Sequence, residues 1–296
     1  MIMTEQVTSP ETVAAETDIV RALVGLATTE QVDFIDVGWD SRVYSVRGGE
    51  YYVKFPRSEK IRGRYTGQIA ATRLAAKLGT DVSVPEIIWE HPEHAYFGYR
   101  GVPGQQLRDI VPTLGYDEKR AVGQVLGNFL EAYHAQSLAG VRDLSPKAEV
   151  AQLQDWYARG LPESMKYFNE QERARLADLV AREWPLALNS ISADPVLSHG
   201  DFHFSNILYD NGRVGIIDFG DICYADRSKD FTDFDDKIIF EAALEAYGHM
   251  SPAMRRAIDL REHMTRVITL TAQLAKHDNE GAEETALKIK TFLAGD

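Results

Sequence analysis

The polar residues best spaced for chemistry fall in two neighbouring stretches. Leu197-Ser198-His199-Gly200-Asp201-Phe202-His203-Phe204-Ser205-Asn206-Ile207-Leu208 has the form His-x-Asp-x-x-x-x-Asn, and Val214-Gly215-Ile216-Ile217-Asp218-Phe219-Gly220-Asp221 carries Asp-Phe-Gly. Phosphoryl transfer needs one carboxylate to orient the attacking hydroxyl and a few hard oxygen ligands for the Mg2+ that bridges the donor's phosphates. Asp201 suits the first task. Asn206 and Asp218 suit the second, because magnesium takes most of its shell from phosphate and water. The short segment between them reads as a hairpin, which would bring Asn206 and Asp218 to adjacent strand ends.

Such chemistry also needs a cation on the triphosphate, and Lys54 in the apolar strand Tyr52-Val53-Lys54-Phe55 is the candidate. A strand lysine by itself usually faces solvent, so the assignment leans on the downstream pair of motifs. No Gly-x-Gly-x-x-Gly and no Gly-Lys pair occurs, so the turn Val37-Gly38-Trp39-Asp40-Ser41-Arg42 is left to cover the phosphates, with the Ser41 hydroxyl as a ligand; a plain hairpin turn reads the same. A rival use of the segment is a metal cluster from His199, Asp201 and His203 for a hydrolase, but no further histidine pair or carboxylate set completes it.

These residues need a scaffold. Pro10-Glu11 followed by apolar positions through Leu26 predicts a first helix ending near Ala27. Residues 32–37, 42–46 and 51–55 read as an antiparallel meander, 61–78 as a helix stopped by Gly79, and 84–89 and 95–100 as two further strands. From Asp117 the apolar spacing becomes helical, again around 171–188 and 253–275, interrupted by the motif-bearing segment 196–221.

With 296 residues, 44% hydrophobic and 26% charged, the chain falls in the globular range and is long enough for two lobes. Its net charge of −13 is concentrated beyond residue 103 and argues against nucleic acid and anionic membranes as partners while favouring cationic ligands, although solubility alone explains the total equally well. The first residues lack a basic leader, no run is long enough to span a membrane, and Cys223 is the single cysteine, so the expectation is a cytoplasmic monomer without an intrachain disulfide. Nothing in the sequence marks a base that would make Cys223 a nucleophile.

Taken together, Gly38-Trp39-Asp40-Ser41-Arg42-Val43-Tyr44, Val53-Lys54-Phe55-Pro56, Tyr99-Arg100-Gly101-Val102-Pro103-Gly104 and the two motifs resemble the aminoglycoside phosphotransferases over about residues 30–240, most of all the type that modifies the 2″-hydroxyl. The resemblance implies an α+β, bilobal fold like that of a protein kinase. Residues 1–100 would form a nucleotide-binding lobe, an antiparallel sheet with one helix, and residues 101–296 a mainly helical lobe for catalysis and substrate. It further implies ATP or GTP as donor, a base bound by the hinge near Arg100 and Val102 with Ile217 beneath it, and Asp226 and Asp230 as scaffolding.

The stretch Asp230-Phe231-Thr232-Asp233-Phe234-Asp235-Asp236 carries four carboxylates and no base. A cationic substrate such as an aminoglycoside would be held there, with Asp235 and Asp236 as the expected contacts; a helix start favoured by the helix dipole reads equally well. The family's glutamate partner for the lysine is replaced by Gln68, with Glu59 as the alternative. The alternatives for function are a kinase for a macrolide, peptide antibiotic, amino sugar or choline-like molecule, and a nucleotide-binding pseudokinase.

Overall fold

The computed structural model describes residues 8–36, 40–190, 195–248 and 251–295. Helix α1 (Pro10–Val24) begins where Ser9 caps the Thr12 amide and ends where Gly25 turns left-handed at φ 69°. Strands β1 (Val32–Ile35), β2 (Ser41–Val46) and β3 (Tyr51–Pro56) form the expected antiparallel meander. Their apolar face, Tyr44, Val46, Val53 and Phe55, packs against Val20 of α1. Ser58 then caps helix α2 (Glu59–Ala75).

The sequence reading joined residues 84–89 into one strand, and the chain divides differently. Val82–Ser83 (β4) and Glu86–Glu90 (β5) are separate strands in different sheets, with Pro85 between them. Proline lacks the N–H that a continuous ladder would use. With β6 (Phe97–Arg100) the first sheet has the order β1-β2-β3-β6-β5. Lys54 therefore lies on a central strand, opposite Val43 on one side and Phe97 on the other.

Residues 101–104 lead to β7 (Gln105–Gln106), the short helix α3 (Leu107–Ile110) and the long helix α4 (Tyr116–His134). After β8 (Arg142–Asp143) come α5 (Pro146–Ser164), α6 (Glu170–Asp178) and α7 (Trp184–Ser190). The chain continues through β9 (Pro195–Ser198), β10 (Ile207–Asp210), β11 (Arg213–Ile216) and β12 (Cys223–Asp226) to α8 (Lys237–Tyr247), α9 (Pro252–Ala275) and α10 (Asn279–Leu293). β10 and β11 are the expected hairpin, extended by β7 on one side and by β4, running parallel, on the other. A second small sheet, β8-β12-β9, carries the segment just before Asp201.

The largest apolar cluster joins α4 and α8 to Phe202, Phe204, Ile216 and Phe219, so the motif segments are seated on the core. Beneath them, buried Arg261 of α9 binds Glu149 of α5 at 2.9 Å and Asp226 at 3.3 Å. That ion-paired network ties the end of β12 to two helices. No described helix is long and apolar enough to cross a membrane. Cys223 is buried, and burial pushes its thiol up to about 11, which leaves it protonated and unreactive at neutral pH.

Helices α4 and α8 approach closely because α4 presents glycine at the contact. A Cβ on Gly127 would stand 2.2 Å from the Ala243 carbonyl oxygen. Alanine is the better helix former by about 1 kcal/mol. The obstacle, however, is backbone and cannot rotate away, and overpacking of this kind costs about 1–3 kcal/mol. Gly127→Ala is therefore expected to lower the chemical-unfolding midpoint; a raised midpoint would mean that the two helices part without cost.

Candidate active site

A cavity of about 200 Å³ opens between the first sheet and the motif loops, lined among others by Ser41, Lys54, Arg64, Gln68, Asp201, Asp218 and Asp221. Each side chain arrives there for a local reason. Lys54 is carried by β3 and is buried, with Nζ 3.0 Å from Asp218 Oδ1. Burial disfavours its charge, yet the Asp218 carboxylate overcomes this and holds the ammonium above the ordinary lysine range. The Lys54 charge in turn holds Asp218 below the usual carboxylate range against burial.

Asp218 sits in the left-handed region at φ 60°, an uncommon conformation for a residue with a side chain. The hairpin fixes its approach: the Ile217 amide donates to the Asn206 carbonyl at 3.0 Å, so Asn206 and Asp218 flank the open end of β10 and β11. The Asn206 amide nitrogen donates to the Asp201 carbonyl and to Asp201 Oδ2, both at 2.9 Å. Its carbonyl oxygen therefore points away from Asp201. The hydrogen bonds to Asp218 fall on Oδ1, which leaves Oδ2 for a cation. Two hard oxygens with no third ligand fit magnesium that completes its shell with phosphates and water. Among the described residues no group of three histidine, cysteine or acidic side chains could enclose a metal by itself.

Asp201 follows β9 through Gly200, whose φ is 83° and whose Cβ, if present, would lie 2.2 Å from the Asp221 carbonyl oxygen. Only glycine lets the loop pass there. Burial acts to raise the Asp201 pKa. The hydrogen bond and charge of His203, the charge of His199 and the Asn206 amide outweigh it, and the group titrates at about 2. Asp201 is thus ionised at neutral pH. The Ser205 amide donates to His203 Nδ1 at 3.2 Å, so in the neutral ring the proton is on Nε2, which faces Asp201 Oδ2 at 3.4 Å. His199 is instead turned inward, with Nε2 donating to the Ile217 carbonyl at 3.1 Å, a structural post between the two motifs.

Other residues singled out in the sequence stand as follows. Ser41 lines the cavity, with its hydroxyl 2.8 Å from the Tyr65 hydroxyl; of the turn around it, Val37, Gly38 and Trp39 lie outside the described residues. The Arg100 side chain points outward, over the Tyr51 ring and 3.4 Å from Glu86. Val102 packs on the hairpin so closely that a Cβ on Gly215 would come within 2.4 Å of it. Ile217 is half-buried next to Asp218. Glu59 is exposed and pairs with Arg62, far from the role of a lysine partner. Gln68 occupies the cavity wall, its Nε2 3.5 Å from Asp218 Oδ1. The carboxylates of 230–236 diverge: Asp230 is fully buried, Asp235 is exposed, and Asp236 caps α8 while binding Lys119 at 2.7 Å.

Other charged residues at or near the cavity were not singled out individually in the sequence. Asp233 pairs through its main chain with His203, and burial pushes its carboxyl up to about 6, although His203 and Lys229 pull it down. Arg64 reaches Asp40 at 3.2 Å and Asp221 at 3.9 Å, and Arg142 of β8 holds Asp221 at 2.9 Å. Arg64 was findable, because it is four residues before Gln68 and so shares its helix face. The long-range partners leave no such trace.

A family model described as "Phosphotransferase enzyme family" matches residues 31–258. An aminoglycoside 3'-phosphotransferase from Escherichia coli is 26% identical over 141 residues, which cover 47% of this chain and 51% of that protein. The chain thus spans about half the length of that curated relative. Among solved structures, the GDP and kanamycin complex of APH(2")-IIia superposes with a TM-score of 0.73 at 20% identity, covering 95% of this chain and 99% of the other. The gentamicin complex of APH(2")-IIa gives 0.72 at 16% identity over 93% and 95%. Macrolide 2'-phosphotransferase MphH from Brachybacterium faecium gives 0.60 at 20% over 92% and 96%. At these identities the structures establish the kinase-like α+β fold, and the family model, matching residues 31–258, establishes the relationship: the chain belongs to the phosphotransferase enzyme family.

Proposed function

We propose that the protein is a small-molecule kinase that transfers the terminal phosphoryl group of ATP or GTP to a hydroxyl group. The observation that carries this reading is the convergence of Lys54, Asp218, Asp201 and, through Asp201, Asn206 on one cavity. Asp201 accepts a hydrogen bond from the acceptor hydroxyl and aims its oxygen at the phosphorus. As that O–P bond forms and the bond to the leaving diphosphate breaks, the hydroxyl proton passes to the Asp201 carboxylate. Lys54 binds donor phosphate, while Ser41, the hinge at Arg100 and Val102, and Ile217 line the nucleotide path. Magnesium, held by the Asn206 carbonyl oxygen and Asp218, would neutralise charge on the phosphates.

For the acceptor we propose a cationic small molecule, with aminoglycosides first. The acidic charge beyond residue 103 and the aminoglycosides bound by the neighbouring structures support this. Asp235 is the exposed contact, while Asp236 would have to exchange Lys119 for a substrate amine. The likeness to a macrolide 2'-phosphotransferase supports a second reading, a macrolide acceptor.

Turnover of ATP and GTP, supplied separately with magnesium against panels of aminoglycosides, macrolides and peptide antibiotics, tests the proposal. Stimulation by one class that disappears in Asp201→Ala is the expected result. Tight nucleotide binding without stimulated turnover by any hydroxyl compound would instead favour a nucleotide-binding pseudokinase.

A further inference from the structure

Building on the kinase reading, we propose that Arg64 is a second phosphate-binding cation, which leaves its resting carboxylates to bind the donor nucleotide beside Lys54. Ile61, Arg64, Tyr65 and Gln68 recur at helical spacing on α2 and all line the cavity. The described cavity wall carries Asp40, Asp201, Asp218 and Asp221 but only two cations, Lys54 and Arg64. Lys54 is committed to Asp218 at 3.0 Å and is buried. Arg64 is held more loosely, 3.2 Å from Asp40 and 3.9 Å from Asp221, with its side chain 30% exposed.

Half-exposed pairs at such distances contribute little. A nucleoside triphosphate brings several negative charges and oxygens that match the paired N–H groups of a guanidinium. Exchange of Asp40 and Asp221 for phosphate is therefore favourable, and it strands no buried charge. Asp221 keeps Arg142, which donates to its carboxylate at 2.9 Å and to its carbonyl at 3.1 Å. The Asp40 side chain is 42% exposed and can be solvated. Gln68 favours the arrangement as well. One helical turn from Arg64, a glutamate would compete with phosphate for the guanidinium, whereas the neutral amide does not.

The bland alternative is that Arg64 only ties α2 to the residues at 40 and 221. Calorimetric titration of the full-chain protein with magnesium separates the two, using ATP, GTP and the nucleosides adenosine and guanosine. For the preferred donor, Arg64→Gln should weaken triphosphate binding roughly 10- to 100-fold and leave nucleoside binding within about twofold, because a nucleoside has no phosphate to lose. Arg64→Lys should recover part of the loss. Asp40→Asn, which removes the resting partner but keeps the cation, should bind the triphosphate at least as tightly as wild type. Equal weakening of nucleoside and triphosphate, no weakening of either, or weaker binding by Asp40→Asn would overturn the inference. Wild-type protein that binds neither triphosphate would defeat the kinase reading itself, a result visible before any variant is compared.

Discussion

Asp201→Asn is expected to lower kcat by about 10²- to 10⁴-fold, the range for removing a positioned acid–base group, while donor affinity and thermal midpoint stay close to wild type. The substitution keeps size and shape, so Asn206 and His203 retain an oxygen to bind, at 2.9 and 3.4 Å from Oδ2 in the native protein. On the proposed mechanism, what disappears is the negative charge that aims the acceptor hydroxyl. At a pKa of about 2 the native carboxylate is a weak base. In the proposed reaction its contribution would therefore lie in orienting the hydroxyl and in receiving the proton late, which suits a loose transition state in which the attacking oxygen bears little new charge until the bond is well formed. Steady-state kinetics with the acceptor that stimulates wild-type turnover, alongside nucleotide titration, decides the matter. A kcat loss below tenfold would move the catalytic role elsewhere, and a parallel loss of donor affinity would mean that Asp201 shapes the nucleotide site.

The parts of the site that could be read from the sequence are those whose geometry is local. The hairpin needs only ten residues to deliver Asn206 and Asp218 to the same end, and Lys54, a lone cation in a short apolar strand, takes its role from that pair of motifs. Helical spacing separates Gln68, on the face with Ile61 and Tyr65, from exposed Glu59. Composition was a poorer guide. The acids of 230–236 read equally as an anionic patch or a helix start, with Asp230 as scaffolding by resemblance, and composition could not divide them; the chain turns within that stretch and aims Asp230 into the core and Asp236 onto a helix start. The Arg64–Asp40 and Arg142–Asp221 pairs join residues 24 and 79 positions apart, and β8, with two residues, is too short to show alternation. Charge pairing across such separations is a product of the tertiary fold and leaves no periodic signature.

The buried Asp230 carries the second large effect, on stability. Its Oδ1 accepts from Ser198 Oγ at 2.8 Å and the Gly200 amide at 2.9 Å; its Oδ2 accepts from the His199 amide at 2.8 Å and faces His134 Nε2 at 3.0 Å. One carboxylate thus fixes the backbone that leads into Asp201 and joins it to α4. Burial opposes the charge, but His134 and these donors win, and the group titrates at about 2. In Asp230→Asn the amide NH₂ must face a backbone N–H that cannot accept, that of Gly200 or that of His199, and removing one side of such a buried pair costs about 3–5 kcal/mol, a large share of a typical folding free energy. The pH dependence follows from the sign of the shift. The folded pKa lies below the ordinary value of about 3.9, so the stabilisation is fully present above that value and is lost as pH falls through it toward about 2. Denaturant melts of wild type and Asp230→Asn should therefore differ most near neutrality, and their difference should shrink as pH is lowered from about 4 toward 2. A gap that stays constant over that window would mean that shape and packing at Asp230, and not its charge, hold the loop that carries Asp201.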